Sequence, residues 1–225
     1  IGLGIEGYSN ESASFARGFA TDRGAKLIEI DLSSEYGYDI PGGARAALLR
    51  PIQDLIDVWA PDLHLVREQP VELTRLFQRA KHYWHYEAPG DQRELDPLGF
   101  YRVKPWVAFR QGMTGGGYWV YSSSEYWSDK PAGGTEYGTV YPTAKGPVTT
   151  KRWEASRAGI QDFELLWLVR KTASASEFPA RKAALRLVEQ TVNFVTDGQE
   201  TVTDISRHVR PYTPDYQKWM DYRRQ

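Results

Sequence analysis

The residues best suited to chemistry are aromatic, and they stand at alternate positions in two short segments. Trp84 and Tyr86 alternate in the run HYWHY, and Trp119 and Tyr121 alternate in GGGYWVY. Side chains two residues apart lie on the same face of a strand. Aromatic rings there can form a flat surface for the C–H faces of a sugar. Packing in a core is the ordinary role of such rings, and a stacking surface for a sugar or another flat ligand is the alternative.

Other chemistries are poorly supported by the sequence. His82 and His85 flank Trp84, but no residue spacing suggests the third ligand that a metal site would need. The run Gly115-Gly116-Gly117 precedes a predicted strand, whereas a phosphate-binding loop follows one, so we interpret it as a tight turn. Cysteine is absent, and so is a Gly-x-Ser-x-Gly motif. We therefore expect no metal and no cofactor, and neither a thiol nor a serine-triad hydrolase.

The composition is that of a protein with a sizeable core. The 225 residues are 41% hydrophobic and 25% charged, and the net charge is -1. No basic excess favours nucleic acid or an acidic membrane surface. No apolar run reaches the roughly 20 residues that a membrane-spanning helix requires. The aromatic content is high, with 8 Trp, 14 Tyr and 8 Phe.

Short apolar segments alternate with helical patterns along the first half of the chain. The predicted strands are residues 1–5, 26–32, 56–59, 82–86 and 115–121, about 25 to 33 residues apart. The predicted helices are residues 11–23, 44–55, 70–81 and 95–111. Because Pro105 lies inside the last of these, we expect two short helices or a kink there. Such alternation predicts parallel strands in an α/β fold, either a doubly wound sheet or part of a barrel.

The second half of the chain is predicted to be mainly helical. A short strand at residues 138–141 is followed by a turn at Gly146-Pro147 and then by predicted helices at residues 153–171, 177–196 and about 201–210. Trp153, Ile160, Phe163 and Trp167 are spaced to lie on one face of the first of these helices. Tyr212, Tyr216, Trp219 and Tyr222 follow near the end, where we expect them to dock on the core or on another subunit.

Four segments carry a resemblance to a known family. They are IDVWAP, YWHYEAP, DPLGFYRVKPWVAFRQGMTGGGYWVY and YPTAKGPVTTKRWEASRAGIQDFELLWLV. In this order and at these distances, they resemble the C-terminal half of the catalytic barrel of the glycoside hydrolase family 123-like proteins. The resemblance implies that residues 1–172 form about strands four to eight of a (β/α)8 barrel. Residues 173–225 would then be a helical extension packed on it.

The resemblance also implies a reaction. The family is expected to cleave N-acetylgalactosaminide linkages with retention of configuration, with the acetamido oxygen of the sugar attacking its own anomeric carbon. The implied acid is Glu6, at the end of strand four. The family has an Asp directly before this acid, whereas this chain has Ile5. Asp31, at the end of the next strand, is the candidate for the second carboxylate.

The remaining implied site residues surround the mouth of the barrel, where barrel enzymes place their chemistry. The candidate substrate contacts are Trp59, Trp84, Tyr86, Trp119, Tyr121 and Glu125. Because the Asp before Glu6 is missing, the alternative is an inactive carbohydrate-binding or surface-assembly protein. Either protein would need the N-terminal half of the barrel as a partner, from the same parent chain or a separate fragment. The family favours an extracellular or cell-surface location.

Overall fold

A computed structural model describes about half of the chain. The described residues are 29–32, 49–61, 75, 79, 81–86, 96–118, 121–122, 138–175, 179–196, 218, 220–221 and 224. They form a mixed α/β protein whose contacts group into two compact units. The first unit comprises Ile1–Ala88 and Met113–Tyr118, and the second comprises Pro89–Gly112 and Trp119–Gln225. The predicted boundary at residue 172 stays a prediction, although a single helix continues through that position.

The first unit contains a four-stranded parallel sheet. Its strands are β1 (Glu29–Leu32), β2 (Val58–Pro61), β3 (His82–His85) and β4 (Gly115–Gly116), and they lie side by side in chain order. All three pairings are parallel, as the sequence predicted. Backbone hydrogen bonds extend the pairing beyond the strand ends, since the Tyr86 N–H donates to the Pro61 carbonyl at 3.0 Å.

The buried strand β2 is shifted relative to the prediction. The sequence placed it at residues 56–59 with Pro61 closing it, but it begins at Val58 and includes Pro61, and all four of its residues are buried. Pro61 is the last residue of β2, and its carbonyl still accepts a hydrogen bond from the Tyr86 N–H, directly after β3. A six-residue 3-10 helix, Arg50–Leu55, precedes the strand in place of the predicted α-helix end.

The segment with an internal proline forms two short helices, as predicted. A π-helix covers Pro97–Arg102, and the helix α1 covers Lys104–Gln111. The Asp96 carboxylate caps the π-helix by accepting from the Gly99 N–H at 2.7 Å. Pro105 lies in the first turn of α1, where the missing N–H has no helical partner to lose.

A β-hairpin stands where a simple turn was predicted. Strands β5 (Val140–Thr143) and β6 (Gly146–Thr149) pair antiparallel around a two-residue turn at positions 144–145. The predicted turn at Gly146-Pro147 is therefore wrong, because these residues open β6. The Thr143 hydroxyl donates to the Gly146 carbonyl at 2.6 Å and closes the loop.

Two long helices complete the second unit. They are α2 (Lys151–Ala175) and α3 (Arg181–Thr196). Thr150 caps α2, since its hydroxyl accepts from the Trp153 N–H at 3.3 Å and donates to the Thr139 carbonyl at 2.7 Å. No helix in the described part of the chain has the length and apolar character needed to cross a membrane.

The buried face of α2 does not contain the four residues that the spacing places on a shared face. Ile160 and Trp167 are 50% and 43% exposed, and Phe163 is only half-buried. The buried residues of α2 are instead Ala155, Ser156, Gly159, Asp162, Leu166 and Ala173. Small residues lie on this face because the π-helix backbone approaches it closely. A Cβ atom on Gly159 would lie 2.6 Å from the Arg102 carbonyl oxygen.

Candidate functional site

The side chains of strand β3 alternate between a well-covered face of the sheet and a less covered one. Tyr83 and His85 are buried, whereas His82, Trp84 and Tyr86 alternate with them and are only half-buried. Alternate residues of a strand point to opposite faces. The less covered face of the sheet therefore carries Trp84, flanked along β3 by His82 and Tyr86. This arrangement confirms the predicted strand at residues 82–86.

Trp84 lies over the neighbouring strand. A Cβ atom built on Gly115 would be 2.7 Å from Nε1, 2.8 Å from Cε2 and 2.9 Å from Cδ1 of the Trp84 indole. An edge-on approach along the N–H bond would leave the two flanking carbons much farther away than the nitrogen. The nearly equal distances place the position of this Cβ above the ring face. The indole therefore lies flat across Gly115, which is its register partner in β4.

Gly116 leaves room for a ring of β3 on the other face of the sheet. Gly116 is the register partner of His85, and a Cβ atom on Gly116 would overlap the His85 imidazole. The glycine run is thus not the turn that its composition suggested. It is the short strand β4 itself, and its lack of side chains leaves room for two large rings on β3. A Cβ atom on Gly117 would meet no atom within 4 Å.

Trp59 lies on the opposite face from Trp84. It pairs in register with Tyr83, whose side chain is on the covered face, and Trp59 itself is 0% exposed. Its indole fills the core beside the sheet and has no surface available to a ligand. The predicted contact between Trp59 and a sugar is therefore not supported by its position. A buried aromatic of this size contributes chiefly by removing apolar area from water.

The carboxylates that the resemblance implies are only partly located. Asp31 is the last residue but one of β1, where its backbone pairs with Ala60, so it lies near the predicted carboxyl end of a strand. Its role in catalysis stays a prediction. Glu6, Trp119 and Glu125 lie outside the described residues, and so does the predicted strand at residues 1–5.

Tyr121 belongs to the second unit and not to a strand of the parallel sheet. Its ring packs edge-to-face on Trp153, with ring centroids 5.0 Å apart, and its carbonyl accepts from the backbone N–H groups of Thr139 and Val140. The predicted strand at residues 115–121 is therefore too long, since β4 ends at Gly116. Tyr121 is 49% exposed.

A buried carboxylate in the second unit, Asp162, was not among the residues predicted to be functional. Asp162 on α2 is 2% exposed, and its Oδ2 accepts from Arg102 Nε at 2.9 Å and from Trp106 Nε1 at 3.3 Å. It thereby joins α2 to the π-helix and to α1. The signal in the sequence is its position three residues after Gly159 and four before Leu166, on the face of small residues. Because the carboxylate is buried and accepts hydrogen bonds from two donors, we assign it a structural role.

Metal binding has no assembled ligand set in the described residues, since they contain no group of three or more His, Cys, Asp or Glu suited to a cation.

No protein-family model matches the chain, and no curated protein matches it significantly. The likeness to the glycoside hydrolase family 123-like proteins therefore depends on the four sequence segments alone.

Proposed function

We propose that this chain is a glycoside hydrolase-like protein that binds an N-acetyl-hexosaminide, such as an N-acetylgalactosaminide, over Trp84. The observation that carries the proposal is the Trp84 indole, which lies flat across Gly115 on the less covered face of a parallel sheet. An aromatic ring held flat by the strand below it is suited to the apolar C–H face of a pyranose. His82 and Tyr86 alternate with Trp84 along β3 and offer polar groups to sugar hydroxyls.

In the proposed reaction the protein supplies acid catalysis and orientation. The acetamido oxygen of the substrate forms a bond to the anomeric carbon while the bond to the leaving oxygen breaks. Glu6 donates its proton to that leaving oxygen, and Asp31 orients the acetamido group and stabilises its developing positive charge. Water then attacks the anomeric carbon, gives one proton to the Glu6 carboxylate and opens the cyclic intermediate, so that the original configuration is restored. This assignment of roles comes from the family resemblance.

The proposed fold is the C-terminal half of a (β/α)8 barrel. What supports it is that the four described parallel strands adjoin one another in chain order, with no reversal of the kind found at the centre of a doubly wound sheet. An open sheet of this kind has strand edges that favour pairing with further strands. We therefore propose that the N-terminal half of the barrel is its partner. A stable, monodisperse monomer of 25.7 kDa in sedimentation analysis would contradict that partnership.

The test of sugar binding replaces Trp84 and, as a control, replaces a second tryptophan that lies outside the proposed site. Trp84→Ala should raise the Kd for N-acetylgalactosamine about tenfold, because it removes the stacking surface. Trp167→Ala makes the same change at a 43% exposed position on α2 and should leave the Kd unchanged. Titration calorimetry measures both. Equal effects of the two substitutions, or no binding of N-acetyl-hexosamines, would overturn the proposal.

Turnover separates the enzyme from the alternative of an inactive sugar-binding protein, which the missing Asp before Glu6 favours. The hydrolase should release the aryl group from an aryl N-acetyl-galactosaminide, and Glu6→Gln should abolish release while sugar binding is kept. Binding without turnover in the unaltered protein would select the alternative.

A further inference from the structure

A cavity lies among the helices of the second unit. Its volume is about 310 Å³, and it is bounded by residues of α1, α2 and α3 together with Arg224. Most of its wall is aliphatic and comes from Leu165, Leu166, Val169, Ala184, Leu187 and Val188. The volume is at the lower end of the range of about 300 to 1,000 Å³ that is typical of small-molecule sites.

The polar side chains of the inner wall make hydrogen bonds within the protein. The Trp106 indole N–H donates to Asp162, whose charge is balanced by Arg102 at 2.9 Å. The Thr191 hydroxyl donates its proton to the Leu187 carbonyl at 2.7 Å, within α3. The inner cavity is suited to an apolar body, because most of its wall is aliphatic.

The outer rim of the cavity carries an arginine, Arg224. The Arg224 side chain is 68% exposed and makes an ion pair with Asp221 at 3.4 Å. A guanidinium has five N–H donors, so one carboxylate at this distance does not exhaust them. An exposed pair of this kind contributes little free energy and exchanges partners easily. Arg224 can therefore also receive an anionic group at the mouth of the cavity.

We propose that this cavity binds a medium-chain aliphatic carboxylate, with its tail between α2 and α3 and its carboxylate at Arg224. A cavity of about 150 Å³ holds a benzene-sized ligand, so this one has room for a chain of about eight carbons. The charge on Arg224 selects an acid over an alcohol or an amine of the same length. This site is separate from the sugar surface on β3 and does not depend on it.

The first experiment compares three probes of equal length by titration calorimetry on the full chain. Octanoate should bind about two- to fivefold more tightly than octanol, and octylamine should bind most weakly, because Arg224 attracts one head group and repels the other. Binding of octanoate should show a negative heat-capacity change, the mark of apolar burial. Failure of octanoate to bind, or binding no tighter than that of octylamine, would overturn the proposal.

The second experiment locates the ligand. Ala184→Phe fills the cavity and should weaken octanoate binding at least about tenfold. Ala184→Leu fills less of it and serves if the phenylalanine prevents folding, as judged by circular dichroism. Unchanged binding in a folded filling variant would place the ligand elsewhere and refute the proposal.

The third experiment tests the rim charge with a matched arginine. Arg224→Gln should abolish the preference for octanoate over octanol. Arg157→Gln should keep it, although Arg157 is similarly exposed and likewise has an acidic partner three residues away on its helix. Loss of the preference in both variants, or in neither, would contradict the role of Arg224.

Discussion

Two glycines allow close approaches of different kinds in the two units. Gly115 in the sheet unit lies under a side chain, the Trp84 indole, with the nearest atom 2.7 Å from a would-be Cβ. Gly159 in the helical unit lies against a backbone, with the Arg102 carbonyl oxygen at 2.6 Å and its Cα at 3.0 Å. The distances are nearly equal, but the neighbours differ in how far they can move.

This difference makes the contact at Gly115 a feature of the sheet surface and the contact at Gly159 a feature of helix packing. An indole can rotate about its side-chain bonds, so a methyl group at Gly115 would displace the ring and leave the sheet largely intact. The π-helix backbone can yield only if the whole element moves away from α2, because protein interiors are close-packed. We therefore expect substitutions in the helical unit to cost mainly stability and the substitution in the sheet unit to cost mainly the shape of the site.

The largest effect should follow from removing the carboxylate that joins α2 to its neighbours. Asp162→Ala should lower the free energy of unfolding by about 3–5 kcal/mol, because it leaves the buried Arg102 guanidinium without its acidic partner. Urea denaturation measures this loss. Glu154→Ala, on the same helix but in an exposed ion pair with Arg157, should cost less than about 1 kcal/mol. Similar losses in both variants would show that the burial of Asp162 is not what matters.

The next effect tests the backbone contact directly. Helix propensity alone predicts that Gly159→Ala stabilises α2 by about 1 kcal/mol. The clash with the Arg102 carbonyl should outweigh this gain and give a net loss of about 1–2 kcal/mol, since overpacking costs about 1–3 kcal/mol. The sign of the change in the urea midpoint is decisive. An increase in stability would mean that the π-helix moves aside easily, and the contrast between the two glycines would fail.

The smallest effect on stability should come from the sheet. Gly115→Ala should cost about 1 kcal/mol or less, the range for one side chain forced from its preferred rotamer. It should nevertheless weaken sugar binding as much as Trp84→Ala does under the proposed function. Gly117→Ala, where the added methyl group meets open space, should change neither stability nor sugar binding. A loss of stability at Gly115 as large as at Gly159 would erase the distinction between the two units.

The elements predicted from the sequence are those whose conformation depends on residues close together in the chain. The alternation in residues 82–86 gave β3, and Pro105 gave the division between the π-helix and α1. The helices α2 and α3 were predicted with ends only a few residues away from the observed ones. In each case the determining contacts are hydrogen bonds between near neighbours or the fixed geometry of proline, which the sequence displays directly.

The features that the sequence did not predict depend on contacts between residues far apart in the chain. Glycine favours turns, and only the pairing of Gly115 and Gly116 with Trp84 and His85, 31 residues away, makes them a strand. Likewise, the large residues that the spacing places on one face of α2 are not the buried residues of that helix. Since the π-helix backbone requires small residues at the contact, Gly159 and Asp162 are buried, and Ile160 and Trp167 are exposed.

The residue pattern alone predicts an α/β protein with parallel strands, the aromatic alternation on β3, the proline-divided helices and the set of motifs that suggests sugar chemistry. Which tryptophan is buried in the core and which stays partly exposed depends on how segments distant in the chain pair and pack. Trp59 and Trp84 are the same residue type on adjacent strands, yet one is fully buried and the other lies half-exposed across Gly115. The physical reason is register. A shift of one residue turns a side chain to the opposite face of a sheet, and the pairing of strands far apart in the chain fixes that register.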